Sequence, residues 1–302
     1  MVRPEKLQTN RAGLVALLED LVRAGGSDAH LKVPGRPQYR IDGRLVPTLH
    51  DPLAPADVFQ LAHACLELAR EETALATVKD LRLTFGVEKL GRFSAQIWKQ
   101  RGTFAIAIHR VAIDPPSLAQ LGLGLDLGAA MQLGSGLVLV GGARGRHAVL
   151  AAMIRHYNAM VEGHLVSLED PLEYLHKDHR ACVSQREVGV DVPTFREGLA
   201  AAMRQDPDAL VVSDLPEPSD AEMVLRAAEE GLMVVAAMAM PEGRDAVRAF
   251  CRKFPAHRED EIQDRLQAVM RGVVFVPRSG SAGFIAMGHD PGATLRSLRL
   301  HA

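Results

Sequence analysis

The sequence predicts a two-part α/β protein: a small α+β domain over residues 1–114, then a larger α/β domain with a mostly parallel sheet over 115–302. Three observations point there. A chain of 302 residues is long enough for two ordinary domains at about 150 residues each. Up to Asp114 helices mix with strands that alternate or turn back as hairpins, and Pro115-Pro116 closes that texture. From Leu118 onward short apolar runs alternate with helical patterns, as in a parallel sheet covered on both faces.

Each element follows from its own pattern. Arg11 to Arg23 carries Leu14, Leu17, Leu18 and Leu21 at helical spacing and stops at Gly25-Gly26. Ser27 to Val33 alternates as a strand, and Gln38 to Val46 reads as a hairpin turning at Asp42-Gly43. Asp57 to Glu67 and Glu71 to Val78 are expected helices, followed by strands at 81–88, 91–99 and 103–111. In the second domain the strands are expected at 137–140, 165–168, 209–213, 233–238 and 273–276. Helices are expected at 146–161, 194–204, 220–230, 244–254 and 259–270.

Composition excludes several classes of function. Lys and Arg number 35 against 37 Asp and Glu, so no global field favours nucleic acid. Cys65, Cys182 and Cys251 are odd in number and form no CxxC pair, which fits a reducing cytoplasm and supports no disulfide framework. No apolar run approaches about 18 residues and the first twenty lack a signal-peptide core, so no direct membrane insertion is expected. His176, His179 and Cys182, with Asp178 nearby, have metal-like spacing, but a fourth ligand is missing and no metal is expected.

Chemistry is expected around Gly136 to Ile154, where a buried strand, a glycine-rich turn and a helix follow one another. This is the layout of a phosphate-binding loop. A working loop of that kind needs GxxxxGK[ST]: glycines whose amides wrap the phosphates, a Lys for their charge, and a hydroxyl for Mg²⁺. Here it runs Gly141-Gly142-Ala143-Arg144-Gly145-Arg146-His147, and both the Lys and the hydroxyl are absent. Arg146 or His147 falls nearest the Lys position; either can meet an anion at a helix N-terminus, and a bare helix N-terminus also needs no ligand. The strand ending in Glu169-Asp170 offers carboxylates that can hold Mg²⁺ or polarise water, or that simply cap the strand end in solvent.

The runs GGSDAHLKVPGRPQYRIDGRLVP, WKQRGTFAIAIHRV, SLEDPLEYLH and QREVGVDVPTFREGLAAAMRQDPDALVVSD are similar, in order and over nearly the whole chain, to the type IV pilus retraction ATPases of the wider secretion ATPase superfamily. The resemblance implies a PAS-like N-terminal domain joined to a RecA-like P-loop domain. It also implies a hexameric ring, homomeric or mixed with motor subunits, that uses ATP and Mg²⁺ and serves an inner-membrane pilus platform protein from the cytoplasmic side. Its acidic box corresponds to Ser167 through Glu173, with Glu169 as catalytic carboxylate and Asp170 and Glu173 as supports. Its basic sensor and subunit-contact positions correspond to Arg101, Arg110, Arg186 and Arg204, the last two with a structural salt bridge, toward the Asp206/Asp208 region or to a neighbouring subunit, as the alternative.

The chain departs from the family at five places. The loop is about two residues shorter and lacks its Lys and hydroxyl. The Glu ending the family's Walker B strand is Asp214, whose reach is shorter by about 1.5 Å, enough to spoil an attack geometry. The two histidines of the histidine box are Leu232 and Ala239, and the Arg-Asp pair after the Walker B strand is replaced within Leu215-Pro216-Glu217-Pro218. After Gly283 to Met287, the family's last helical segment is expected to be missing or vestigial.

Three functional expectations follow. The first is a catalytically silent paralogue that assembles with or regulates a pilus motor. The second is a weak ATPase in which Arg144, Arg146 or His147 replaces the Lys, with Glu169 or Asp214 on the metal. The third is a nucleotide-free binding module in transformation or secretion. ATP and Mg²⁺ are cofactors only if nucleotide binding is retained.

Overall fold

A computed structural model describes residues 6–142, 145–240, 246–277 and 282–286. Ala143 and Arg144 of the glycine-rich loop, Arg278, Met287 and the segment 288–302 lie outside the described residues. The chain divides into two compact units, Met1–Ala112 and Ile113–Ala302.

The first unit is a six-stranded antiparallel sheet backed by two helices, α1 (Arg11–Arg23) and α2 (Pro55–Ala69). Its strands are β1 (Asp28–Lys32), β2 (Gln38–Ile41), β3 (Arg44–Pro47), β4 (Asp80–Val87), β5 (Gly91–Gln100) and β6 (Thr103–Val111), in the order β3-β2-β1-β6-β5-β4. Asn10 caps α1 by accepting from the Gly13 amide at 2.9 Å. The leucine stripe of α1 is buried with Phe93, Ile97, Ile106 and Ile108. Asp42 and Gly43 both take positive φ, 48° and 78°, which gives the hairpin turn its twist and sets Ile41 opposite Arg44. Glu71–Val78, expected as a helix, is instead an irregular stretch with one 3-10 turn at Leu75–Thr77. The reason is local: Arg70 adopts a left-handed conformation that ends α2, and the buried anchors Leu75 and Val78 sit one such turn apart.

The second unit is a seven-stranded sheet in the order β13-β12-β7-β11-β10-β8-β9. It comprises β7 (Gly136–Gly142), β8 (Gly163–Glu169), β9 (Ala181–Glu187), β10 (Ala209–Val212), β11 (Met233–Met238), β12 (Met270–Val276) and β13 (Gly283–Ala286). Every pairing is parallel except that of β13 with β12. The helices are α3 (Leu125–Met131), α4 (Arg146–Met160), α5 (Phe195–Ala202), α6 (Pro218–Glu229), α7 (Ala246–Cys251) and α8 (Glu259–Val269). Alternate residues of each central strand enter different cores. Leu137 and Leu139 pack with α5 to α8, whereas Val138 and Val140 pack with α3 and α4. This double burial is why these strands read as continuous apolar runs. The polar β9, the helix α3 and the edge strand β13 carry no such signal and were not expected as elements of this sheet. The α7 pattern, expected over 244–254, forms a helix at Ala246–Cys251, with positions 244 and 245 outside the described residues.

Candidate functional site

The parallel register brings the ends of β7, β8, β10 and β11 together at one edge of the sheet, and the expected site residues of the second unit are distributed around it. Strand β7 is wholly buried up to Gly142, and Gly145, with φ of 76°, precedes the first residue of α4. Both glycines are explained by packing. A Cβ on Gly142 would lie 2.7 Å from the Val276 Cβ and 2.9 Å from the Val276 carbonyl, and one on Gly145 would meet the same valine. Gly142 and Gly145 thus lie close against the end of β12.

Arg146 opens α4, where the helix dipole disfavours a cation. Its side chain turns to the end of β10 instead: Nε donates to the Ser213 carbonyl at 3.4 Å, and Nη2 lies 4.0 Å from Asp214 Oδ2. Arg146, one of the two basic residues expected nearest the Lys position, and Asp214, the expected Walker B acid, therefore face each other at ion-pair distance. Asp214 also accepts from the Leu215 amide at 2.8 Å. His147 is buried, with Nδ1 4.0 Å from Glu173 Oε1.

Glu169, at the end of β8, is in a different environment. It is 3 % exposed and accepts from Ser167 Oγ at 2.6 Å and Gln185 Nε2 at 3.0 Å. Burial, reinforced by the neighbouring Glu173 and Glu187 carboxylates, outweighs those hydrogen bonds and pushes its carboxyl up to about 7. Glu187 is fully buried and stands beside it in register across β8 and β9. Next along, the Asp170 amide donates to Ser213 Oγ at 2.8 Å, which ties the ends of β8 and β10 together. Residues Ser167, Gln185, Glu187 and Ser213 were missed as partners in this network. The available signal was periodicity: Ser167 and Glu169 alternate on β8 as Gln185 and Glu187 do on β9.

Strand β11 is buried from Met233 to Met238, and its last residue pairs with Gly141. Ala239, one of the two expected histidine-box positions, follows and is exposed; Leu232, the other, lies before the strand and packs against the core. Neither can donate a hydrogen bond from its side chain.

The basic residues are dispersed. Arg101 sits in the β5–β6 turn with φ of 47°, and Arg110 pairs with Phe93 in the first unit's sheet. Arg186 on β9 donates to the Asp191 carbonyl at 3.2 Å. Arg204 donates to the Ala200 carbonyl at 2.8 Å, one turn back in the chain, and no ion pair to Asp206 or Asp208 occurs among the described residues. The His176, His179 and Cys182 cluster is drawn into backbone bonding: the His176 amide donates to Gln185 and the His179 amide to Asn158. Among the described residues no group of three or more His, Cys, Asp or Glu is placed to hold a metal, and no helix is long and apolar enough to cross a membrane.

This arrangement, a mostly parallel sheet with glycines and carboxylates at its strand ends, agrees with comparisons to known proteins. A family model described as Type II/IV secretion system protein matches residues 117–271, about half of the chain. The Escherichia coli (strain K12) protein YggR is 30% identical over 84% of this chain and 77% of its own length. The type IV pilus ATPase PilU of Pseudomonas aeruginosa is 28% identical over 85% of this chain and 68% of its own. The crystal structure of the pilus retraction motor PilT with bound ADP superposes with a TM-score of 0.80 at 27% identity, covering 95% of this chain and 88% of that one. The chain belongs to the type II/IV secretion system protein family, as a member resembling the type IV pilus retraction ATPases. Its fold is the one that motor has, an N-terminal domain followed by a RecA-like ATPase domain.

Proposed function

We propose that this chain is a degenerate, catalytically silent paralogue of the pilus retraction motor, acting as an assembly or regulatory subunit of the pilus or twitching-motility machinery. The observation that carries the reading is the Arg146–Asp214 pair. Phosphoryl transfer depends on a cation facing the phosphates and a carboxylate facing Mg²⁺ or the attacking water. Here two of the groups expected in those positions face each other. The missing loop Lys and hydroxyl, and the methyl of Ala239 at an expected histidine-box position, remove further partners of the transferring phosphate. Loss of one such electrostatic donor costs about 10²–10³ in rate, so their combined loss argues against turnover.

In this reading the features needed for assembly persist. The subunit joins a hexameric ring, alone or mixed with active motor subunits, at the cytoplasmic face of the inner membrane, and contacts the platform protein. The test is calorimetric titration of the full chain with Mg–ATP, followed by a phosphate-release assay. Absence of both binding and release is expected. Tight binding with hydrolysis abolished by Glu169→Gln would instead favour a weak ATPase, for which the specific support is a Glu169 carboxyl held near neutral pH, suited to a general base. Co-purification with an active retraction ATPase tests the assembly role; a chain that engages no motor would favour a nucleotide-free module in transformation or secretion.

A further inference from the structure

Between the end of α7 and the start of α8, around a 3-10 turn at Ala256–Arg258, lies a cavity of about 490 Å³. Its described lining is Arg248, Cys251, Arg252, Phe254, Ala256 and Glu259. The Arg252 amide donates to the Arg248 carbonyl at 3.0 Å, so the helical turn continues and the two arginines stand one turn apart on one face. The C-terminal end of a helix tolerates two cations side by side. Cys251 and Phe254 are both buried and give the cavity an apolar floor.

The other charges nearby are engaged elsewhere. Lys253 donates to the Pro216 carbonyl at 3.0 Å, and Arg258 pairs with Glu222 at 3.3 Å and Glu261 at 2.7 Å. Glu259 is the one acid in the described lining; it accepts from Gln263 at 3.1 Å and sits in the first turn of α8, where the helix dipole favours it. His257 and Asp260, exposed on the adjoining turn, are not part of that lining. By contrast, neither the Arg248 nor the Arg252 guanidinium has a hydrogen bond or an ion pair among the described residues. Two uncommitted guanidinium groups against one engaged carboxylate leave the lining positive.

We propose that this cavity binds a small organic oxyanion, a phosphate or carboxylate group carried on an apolar body. Planar guanidinium groups donate paired hydrogen bonds to such an oxyanion, and the floor of Cys251 and Phe254 receives the apolar part. The volume falls within the range of small-molecule sites. The inference goes beyond the silent-subunit reading and does not rest on it, because Arg146, Glu169 and Asp214 take no part.

The experiment titrates the full chain, by calorimetry, with phenyl phosphate, benzoate, inorganic phosphate and uncharged benzyl alcohol. Phenyl phosphate or benzoate is expected to bind with a Kd below about 1 mM, and the tighter of the two identifies the oxyanion. Benzyl alcohol, which lacks the charge, and inorganic phosphate, which lacks the apolar body, are each expected to bind at least about tenfold more weakly. Arg248→Gln combined with Arg252→Gln is expected to weaken the tighter probe by at least about tenfold. Glu259→Gln, which keeps an acceptor for Gln263 but removes the one negative charge, is expected to tighten it by about two- to fivefold, a gain that no folding defect produces. The proposal is overturned if neither aromatic anion binds below about 1 mM, if benzyl alcohol or inorganic phosphate binds as tightly as the aromatic anions, or if the double arginine variant binds unchanged.

Discussion

Two carboxylates at neighbouring strand ends, Glu169 closing β8 and Asp214 after β10, have opposite surroundings. Glu169 is sealed in the sheet with two side-chain donors and a second carboxylate beside it. Asp214 is half-buried, with a backbone amide and one long ion pair. The difference teaches that the same residue class at the same edge of one sheet is set to different chemistry by desolvation. The sealed acid is held close to its neutral form, and its removal disturbs the interior; the open acid is an exchangeable partner for Arg146.

The comparison can be broken most forcefully at Glu169. Glu169→Ala leaves Ser167 without its acceptor and Gln185 with the Tyr174 carbonyl, and opens a void among buried groups, so unfolding in urea at acidic pH, where the carboxyl is neutral, should show a loss of about 2–4 kcal/mol. A pH series isolates the charge. The folded-state carboxyl lies near 7 and the unfolded one near 4.5, so the native state holds the proton more tightly. This penalty is absent below the unfolded value, grows as pH rises between the two, and is complete above the folded value. Relative to Glu169→Gln, the natural chain should therefore lose on the order of 3 kcal/mol between those limits. A parallel pH dependence in both chains would mean that Glu169 is not the buried titrating group.

Smaller effects sharpen the contrast. Gly142→Ala places a methyl against Val276 and should cost about 1–3 kcal/mol in thermal or chemical melts through displacement of the loop or of β12. Ser167→Ala removes one donor from Glu169 and should cost about 1 kcal/mol, with a further rise in the pH at which Glu169 ionises. At the open acid, Arg146→Ala and Asp214→Asn should each change stability by no more than about 1 kcal/mol, and a double-mutant cycle should give a small, salt-sensitive coupling. A coupling as large as the Glu169 effect would erase the distinction between the two ends.

Much of the framework was legible in sequence because burial on two faces leaves a one-dimensional trace. The apolar runs of β7, β10 and β11, the Asp42-Gly43 turn and the leucine stripe of α1 each obey a local rule. The edge strand β9 was not legible, since half-buried polar residues such as Ser184 and Gln185 carry no apolar period. The irregular Glu71–Val78 segment was misread because helix-forming residues say little where only Leu75 and Val78 have a core to enter.

The sequence by itself determined which chemical groups exist at the site: no Lys or hydroxyl in the glycine loop, an Asp at position 214, and no histidine at positions 232 or 239. Those are identities, and no fold can restore a missing amine or imidazole. Only the tertiary structure decided what the remaining groups do. Arg146 meets Ser213 across 67 positions of chain and Asp214 beside it, and Glu169 meets Glu187 through parallel pairing. Electrostatics and desolvation act through distances in space, which the order of residues along the chain does not contain.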